Sequence, residues 1–122
     1  MSKKTAIIGA STNPQRYAYI AAQRLTQANQ EIVPLGIKKG EVFGNDILDI
    51  RAKPEIKNIH TVTMYLGPQN QADWEEYILS LAPSRIIFNP GTENPQFARQ
   101  ANDLGIETLN ACTLVMLSVG NY

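Results

Sequence analysis

The chain has little with which to do redox or metal chemistry. One cysteine, Cys112, and one histidine, His60, stand among 122 residues, which excludes an internal disulfide framework and a thiolate zinc site. No group of His, Asp and Glu has metal-ligand spacing, so no metal is expected. An excess of one charge is missing too. Eleven basic and eleven acidic residues cancel, and no dense Lys/Arg run offers the positive face that nucleic acid or an anionic membrane requires. No apolar stretch reaches the roughly 20 residues of a membrane span, and Met1-Ser2-Lys3-Lys4 shows no signal peptide. A cytoplasmic protein with neither nucleic-acid nor membrane partners is the expectation. At 43% hydrophobic content the chain can hide about two-thirds of its unfolded surface in one core, so residues 1–122 are read as one domain.

What is present begins with Thr5-Ala6-Ile7-Ile8-Gly9-Ala10-Ser11-Thr12-Asn13-Pro14. An apolar strand runs into a small-residue turn, and Asn13-Pro14 supplies a helix cap with proline at the first helical position. N–H groups at a helix start have no intrahelical partner and sit at the positive end of the dipole, so the segment reads as a phosphate cradle. It lacks the later glycines of G-x-G-x-x-G and has nothing of G-x-x-x-x-G-K-[ST]. An ordinary strand-to-helix connection explains the same residues equally well.

Beyond Pro14, Tyr17, Ile20, Ala21, Leu25 and Ala28 follow helical spacing, with Asn29 closing the helix in a left-handed conformation. Residues 31–35 read as a second strand with Pro34 near its end, because proline cannot donate to a ladder. The glycine-punctuated stretch from Gly36 is read as irregular to about Ile59, with a short turn near Pro54. Residues 61–66 are β-branched and aromatic, a third strand ending at Gly67-Pro68. The next helix has Trp74, Ile78 and Leu81 as its buried stripe, and Pro83 stops it. Residues 85–89 form a fourth strand before Pro90-Gly91. Asn94-Pro95 starts a helix carrying Phe97, Ala98, Ala101 and Leu104, which Gly105 ends. Residues 106–109 form a fifth strand, and 114–119 a last helix.

Strands alternating with helices predict a doubly wound, Rossmann-like α/β domain with a five-stranded parallel sheet. Ligands in such sheets bind beyond the carboxyl ends of the strands, where strand order reverses. Four of the five strand exits carry Gly or Pro: Gly9, Pro34 with Gly36, Gly67-Pro68 and Pro90-Gly91. Their grouping on one rim suggests a crevice in which backbone comes close to a ligand. A dinucleotide site of the NAD type wants an acid at the exit of strand two, but this chain has Pro34-Leu35-Gly36-Ile37-Lys38-Lys39. Two ammonium groups there suit a phosphate on the ribose, as in NADP or coenzyme A; a solvated surface pair is the plainer alternative. Arg16 either faces a phosphate or lies along the helix surface.

These residues resemble the small CoA-binding proteins, whose domain is similar to the CoA-binding domain of succinyl-CoA synthetase alpha subunits. The resemblance is carried by Ala6-Ile7-Ile8-Gly9-Ala10-Ser11 with Asn13-Pro14, Arg16-Tyr17 and Tyr19, Ile32-Val33-Pro34, Lys38-Lys39-Gly40 to Gly44, Gly67-Pro68, and Gly105-Ile106 before Cys112. It runs nearly end to end. It implies that Gly9, Ala10, Ser11, Thr12 and Asn13, with Arg16, hold the pyrophosphate of CoA. Pro34, Gly36, Ile37, Lys38 and Lys39 would take the adenosine and its 3′-phosphate, and Gly67, Pro68, Pro90 and Gly91 would flank the ligand. Where the family continues from the strand-two proline into a hydrophobic-Asn-Pro sequence, this chain has Leu35-Gly36-Ile37, and Pro90-Gly91-Thr92 also departs from the small-protein pattern.

No catalytic residues are assigned. His60 precedes strand three and is expected at the opposite end of the sheet from Cys112, no predicted strand exit carries a carboxylate, and Asp73, Glu75 and Glu76 read as a solvated helix face. The expectation is a non-catalytic binder of CoA or acyl-CoA acting as carrier, sensor or regulatory subunit, with a partner protein or a second copy as its companion. The alternatives are an NADP-dependent or CoA-thiol redox enzyme using the same crevice, and a structural partner with a vestigial site.

Overall fold

Buried runs of Ile, Val, Thr, Met and Phe make the middle of a parallel sheet. The computed structural model describes residues 2–122, with strands β1 (Thr5–Ile8), β2 (Ile32–Gly36), β3 (Glu41–Val42), β4 (Asn45–Asp46), β5 (Leu48–Asp49), β6 (Thr61–Met64), β7 (Arg85–Phe88) and β8 (Glu107–Asn110). The helices are α1 (Tyr17–Gln27), α2 (Glu75–Ser80), α3 (Pro95–Asp103) and α4 (Thr113–Val119). Six strands form the main sheet in the order β5-β2-β1-β6-β7-β8, all pairs parallel. Strand order reverses between β1 and β6, so those exits define the switch point.

Because side chains alternate across a strand, Ala6 and Ile8 pack on one face with Met64, Ile86, Phe88, Ile78 and Phe97. Ile7 and Ile87 pack on the other with Ala18, Ala22, Leu25 and Met116 of α1 and α4. Burial on both faces is what a continuous apolar run in a parallel strand implies.

The fold class and the alternation agree with the sequence reading, and several details differ. A sixth strand, β5, and the β3–β4 hairpin lie inside the stretch read as irregular. β5 pairs with β2 only through Leu35–Leu48 and Gly36–Asp49, too short to show a periodicity. Pro34 sits in the middle of β2 rather than at its end. The Glu31 and Leu35 carbonyls bond Thr5 N and Gly9 N, so residues of that parity face β1 and Pro34 faces the other way, where pairing with β5 has not begun. Helix α1 starts at Tyr17, not at Pro14. Asn13 Oδ1 accepts from Gln15 N at 3.0 Å, an Asx turn that keeps Pro14 outside the helix.

At the other end of α1, Asn29 takes φ 62°, with Asn29 N bonded to Thr26 O and Gln30 N to Leu25 O, the left-handed closure expected. Asn94 caps α3 through Phe97 N. The helix expected after Gly67-Pro68 begins instead as 3₁₀ turns over Pro68–Asn70 and Ala72–Trp74. Leu104, expected on the packed face of α3, lies just past its last residue, Asp103, as the C-cap and is 65% exposed.

Candidate functional site

The exits of β2, β1, β6 and β7 open into one cleft of about 830 Å³. Its lining brings together Gly9, Ala10, Ser11, Thr12 and Arg16 from the β1 exit and the start of α1. Gly36, Ile37, Lys38 and Lys39 come from the β2 exit, Gly67 from the β6 exit, and Pro90 and Gly91 from the β7 exit. Asn13, Pro34 and Pro68 stay outside the lining. Asn13 is turned into its own loop, Pro34 lies within β2, and Pro68 opens an exposed 3₁₀ turn.

The β1 exit is shaped by contact with its neighbours. Gly9 has φ +94°, and a Cβ there would lie 3.1 Å from Tyr65 O and from the Leu66 side chain; a Cβ on Gly36 would lie 2.8 Å from Ala10 O. Gly9 N and Ala10 N both donate to Leu35 O at 3.0 Å, and Asn13 N donates to Ser11 Oγ at 3.0 Å. Those donors, expected to cradle a phosphate, are spent on the fold. The N–H groups of Ser11, Thr12, Tyr17 and Ala18 make no bond within the described residues, and all four residues line the cleft. Two belong to the turn and two to the first turn of α1, where the helix dipole favours an anion.

Beside them, the β2 exit is cationic. Lys38 and Lys39 are joined by Arg51, which follows β5 and donates from Nη2 to Ile37 O at 3.3 Å. Arg51 also pairs with Asp49, Nε to Oδ1 at 2.9 Å, and these hydrogen bonds hold the Asp49 carboxyl below its ordinary range, with a smaller contribution from the charge of Lys39. A carboxylate therefore does stand at a strand exit, that of the unexpected β5, though Arg51 engages it.

The far side of the cleft is built by a buried amide. Gln71 is fully buried and donates from Nε2 to Leu66 O at 2.9 Å and to Thr92 O at 2.8 Å. Its Oε1 accepts from Asn94 Nδ2 at 3.0 Å, and Asn94 also reaches Glu75 Oε2 at 3.3 Å. One side chain thus ties the β6 exit to the β7 exit. No sequence signal marks it, because an isolated Gln between two short turns has no periodic neighbour. Leu66, Gln69, Asn70, Asp73 and Trp74 line this arm. Asp73 therefore belongs to the cleft and Glu75 to the Asn94 network, neither merely to a solvated face. Trp74, read as part of the buried stripe, is half-buried: it packs against the core and also lines the cleft.

On the α4 side, Asn89 Nδ2 donates to Thr63 Oγ1 at 2.7 Å and to Met64 O at 2.8 Å, while its Oδ1 accepts from Thr113 N at 2.9 Å. Tyr65 lines the cleft and packs against the core on the α1 and α4 face, and its hydroxyl is buried without a hydrogen-bond partner. Burial pushes its pKa up to about 12; the nearby Thr63 and Thr113 hydroxyls temper the rise yet bond each other at 2.8 Å. Tyr65→Phe should leave stability unchanged or raise it by up to about 1 kcal/mol, since it removes a desolvated hydroxyl that gains no bond in return. Urea unfolding checks this, and a loss above about 1 kcal/mol would mean that the hydroxyl has a partner.

His60 lies at the other end of the sheet, its N–H bonded to Lys4 O ahead of β6; its imidazole pKa is lowered by burial, then by the charges of Arg85 and Lys3. Cys112 precedes α4 beyond the exit of β8 and is half-buried. Among the described residues, no group of three or more His, Cys, Asp or Glu could hold a metal, and no helix is long and apolar enough to cross a membrane.

A family model for a CoA-binding domain matches residues 3–118. No curated protein matches. Among solved structures, the chain is similar to an uncharacterized protein at 49% identity, with 100% of this chain and 99% of that one covered and a TM-score of 0.96. It is also similar to Prb, a redesign for binding of the PH1109 protein, at 24% identity over 99% of this chain and 86% of that one, with a TM-score of 0.86. A hypothetical protein from Pyrococcus horikoshii OT3 matches at 23% identity over 97% and 83% of the two chains, with a TM-score of 0.83. The last two likenesses concern the fold.

Proposed function

The chain belongs to the family of CoA-binding domains, and from that premise we propose that its cleft binds coenzyme A or an acyl-CoA without transforming it. One observation carries the reading: four unbonded N–H groups and a cationic strand exit share a single cleft. Ser11, Thr12, Tyr17 and Ala18 donate to the pyrophosphate, with Arg16 beside it. Lys38 and Lys39 meet the phosphate on the ribose, and the β6 and β7 exits at Gly67, Pro90 and Gly91 flank the pantetheine arm. Tyr65, with its pKa pushed up to about 12, is a poor proton donor at neutral pH, and His60 stands at the wrong end of the sheet. Asp49 is engaged by Arg51, and these placements favour a role as carrier, sensor or regulatory subunit.

Native mass spectrometry of protein purified without added ligand tests the assignment. A retained mass of CoA or an acyl-CoA is the expected result; a retained NADP would transfer the cleft to the redox alternative. Lys38 and Lys39 should each contribute on the order of 1 kcal/mol to preference for CoA over dephospho-CoA, because exposed ion pairs are weak and screened by salt. The preference should narrow in the Lys38→Ala, Lys39→Ala double variant and at high ionic strength. Equal affinities of the unaltered protein for both ligands at low salt would reduce the two lysines to a solvated pair.

A further inference from the structure

We infer that the arm of the cleft beneath the β6 exit takes a short apolar acyl group, so that the preferred ligand is a short-chain acyl-CoA rather than free CoA; this rests on the CoA reading above. Coenzyme A is linear, with the ribose phosphate at one end, the pyrophosphate next and the thiol at the other. With the cations at the β2 exit and the free N–H groups at the β1 exit, the thiol end must run across the switch point toward β6 and β7. There the wall contains Leu66 and Trp74, both half-buried at the margin of the core. Ligand sites commonly present such partly exposed apolar and aromatic surface.

The arm is also held in shape before any ligand arrives. Gln71, fully buried, bonds the main chain of Leu66 on one side and of Thr92 on the other, so the compartment does not have to be ordered on binding. Gln69, Asn70 and Asp73 on the same wall provide partners for the two pantetheine amides. An acyl chain attached to the sulfur meets Trp74 and Leu66. A methylene buried there gains about 0.8 kcal/mol, close to fourfold in affinity, and a partly buried one gains less.

Calorimetric titration with CoA, acetyl-CoA, butyryl-CoA, hexanoyl-CoA and 3-hydroxybutyryl-CoA tests the inference on the unaltered protein. Affinity should rise with chain length to roughly tenfold over CoA at butyryl, and the hydroxyl should remove most of that gain. In Trp74→Ala, and separately in Leu66→Ala, the ratio of butyryl-CoA to CoA affinity should fall toward one. If either variant fails to fold by circular dichroism, the other and the chain-length series still decide. CoA binding with a flat series would overturn the acyl inference while leaving the CoA reading in place. A gain that persists in a folded Trp74→Ala variant would also overturn it. Binding of neither CoA nor acyl-CoA would remove the CoA reading itself.

Discussion

Gly9→Val should cost about 3–4 kcal/mol of stability, because two independent penalties add at this position. A side chain forced to φ +94° meets the steric barrier that keeps L-residues out of that region, and a β-branched residue meets it most severely. Its Cβ would then press at 3.1 Å on Tyr65 O and the Leu66 side chain, overpacking where the backbone of the β6 exit has little freedom to retreat. Gly91→Ala is the control. It has a similar φ of +90° but nothing within 4 Å of its Cβ, so only the conformational penalty of about 1 kcal/mol applies. Chemical denaturation of both variants checks the pair, and equal losses would refute the packing argument. Gly9 thus serves the closeness of β1 to β6, and loss of ligand binding in a Gly9 variant would report on the shape of the turn, not on a single lost contact.

Gln71→Leu should destabilise the protein by about 2–4 kcal/mol and weaken ligand binding as well. The substitution leaves Leu66 O and Thr92 O without the donor they share and takes the acceptor from Asn94 Nδ2. Each buried group left unpaired costs about 1–3 kcal/mol, and Asn94 recovers part of this through Glu75. The β6 and β7 exits would then be free to separate. A urea midpoint lowered at unchanged slope, together with a weaker CoA affinity, is expected. A change under about 1 kcal/mol would show that the staple is dispensable.

The architecture was legible because short runs rich in β-branched and aliphatic residues, bounded by turn residues, report themselves. Residues 5–8, 61–64 and 85–88 are buried without exception, and strands of that kind alternating with helices leave few topologies open. Asn94-Pro95 and Asn29 act through chemistry local to a few residues, and both were readable. Asn13-Pro14 has the same composition as Asn94-Pro95 and a different outcome, because Asn13 bonds Gln15 N before a helix can begin. Short elements escaped for another reason. β5 has two residues, and its place beside β2 is decided by tertiary contact, as is the 3₁₀ entry into α2, whose Gln71 is held between Leu66 O and Thr92 O. The rim itself was legible in the Gly and Pro residues at the strand exits. Which N–H groups remain free on that rim was not, because Leu35 O takes two of them and a sequence does not display hydrogen-bond partners across strands.

The proposed function stands on a cleft that selects ligands by the phosphate on their ribose and by their linear reach. Isothermal titration of the unaltered protein at low ionic strength with CoA, dephospho-CoA and NADP examines it most directly. CoA should bind at one site per chain and more tightly than either of the others, with dephospho-CoA weakened by the loss of its contact with Lys38 and Lys39. No heat with CoA, or a tighter complex with NADP, would contradict it.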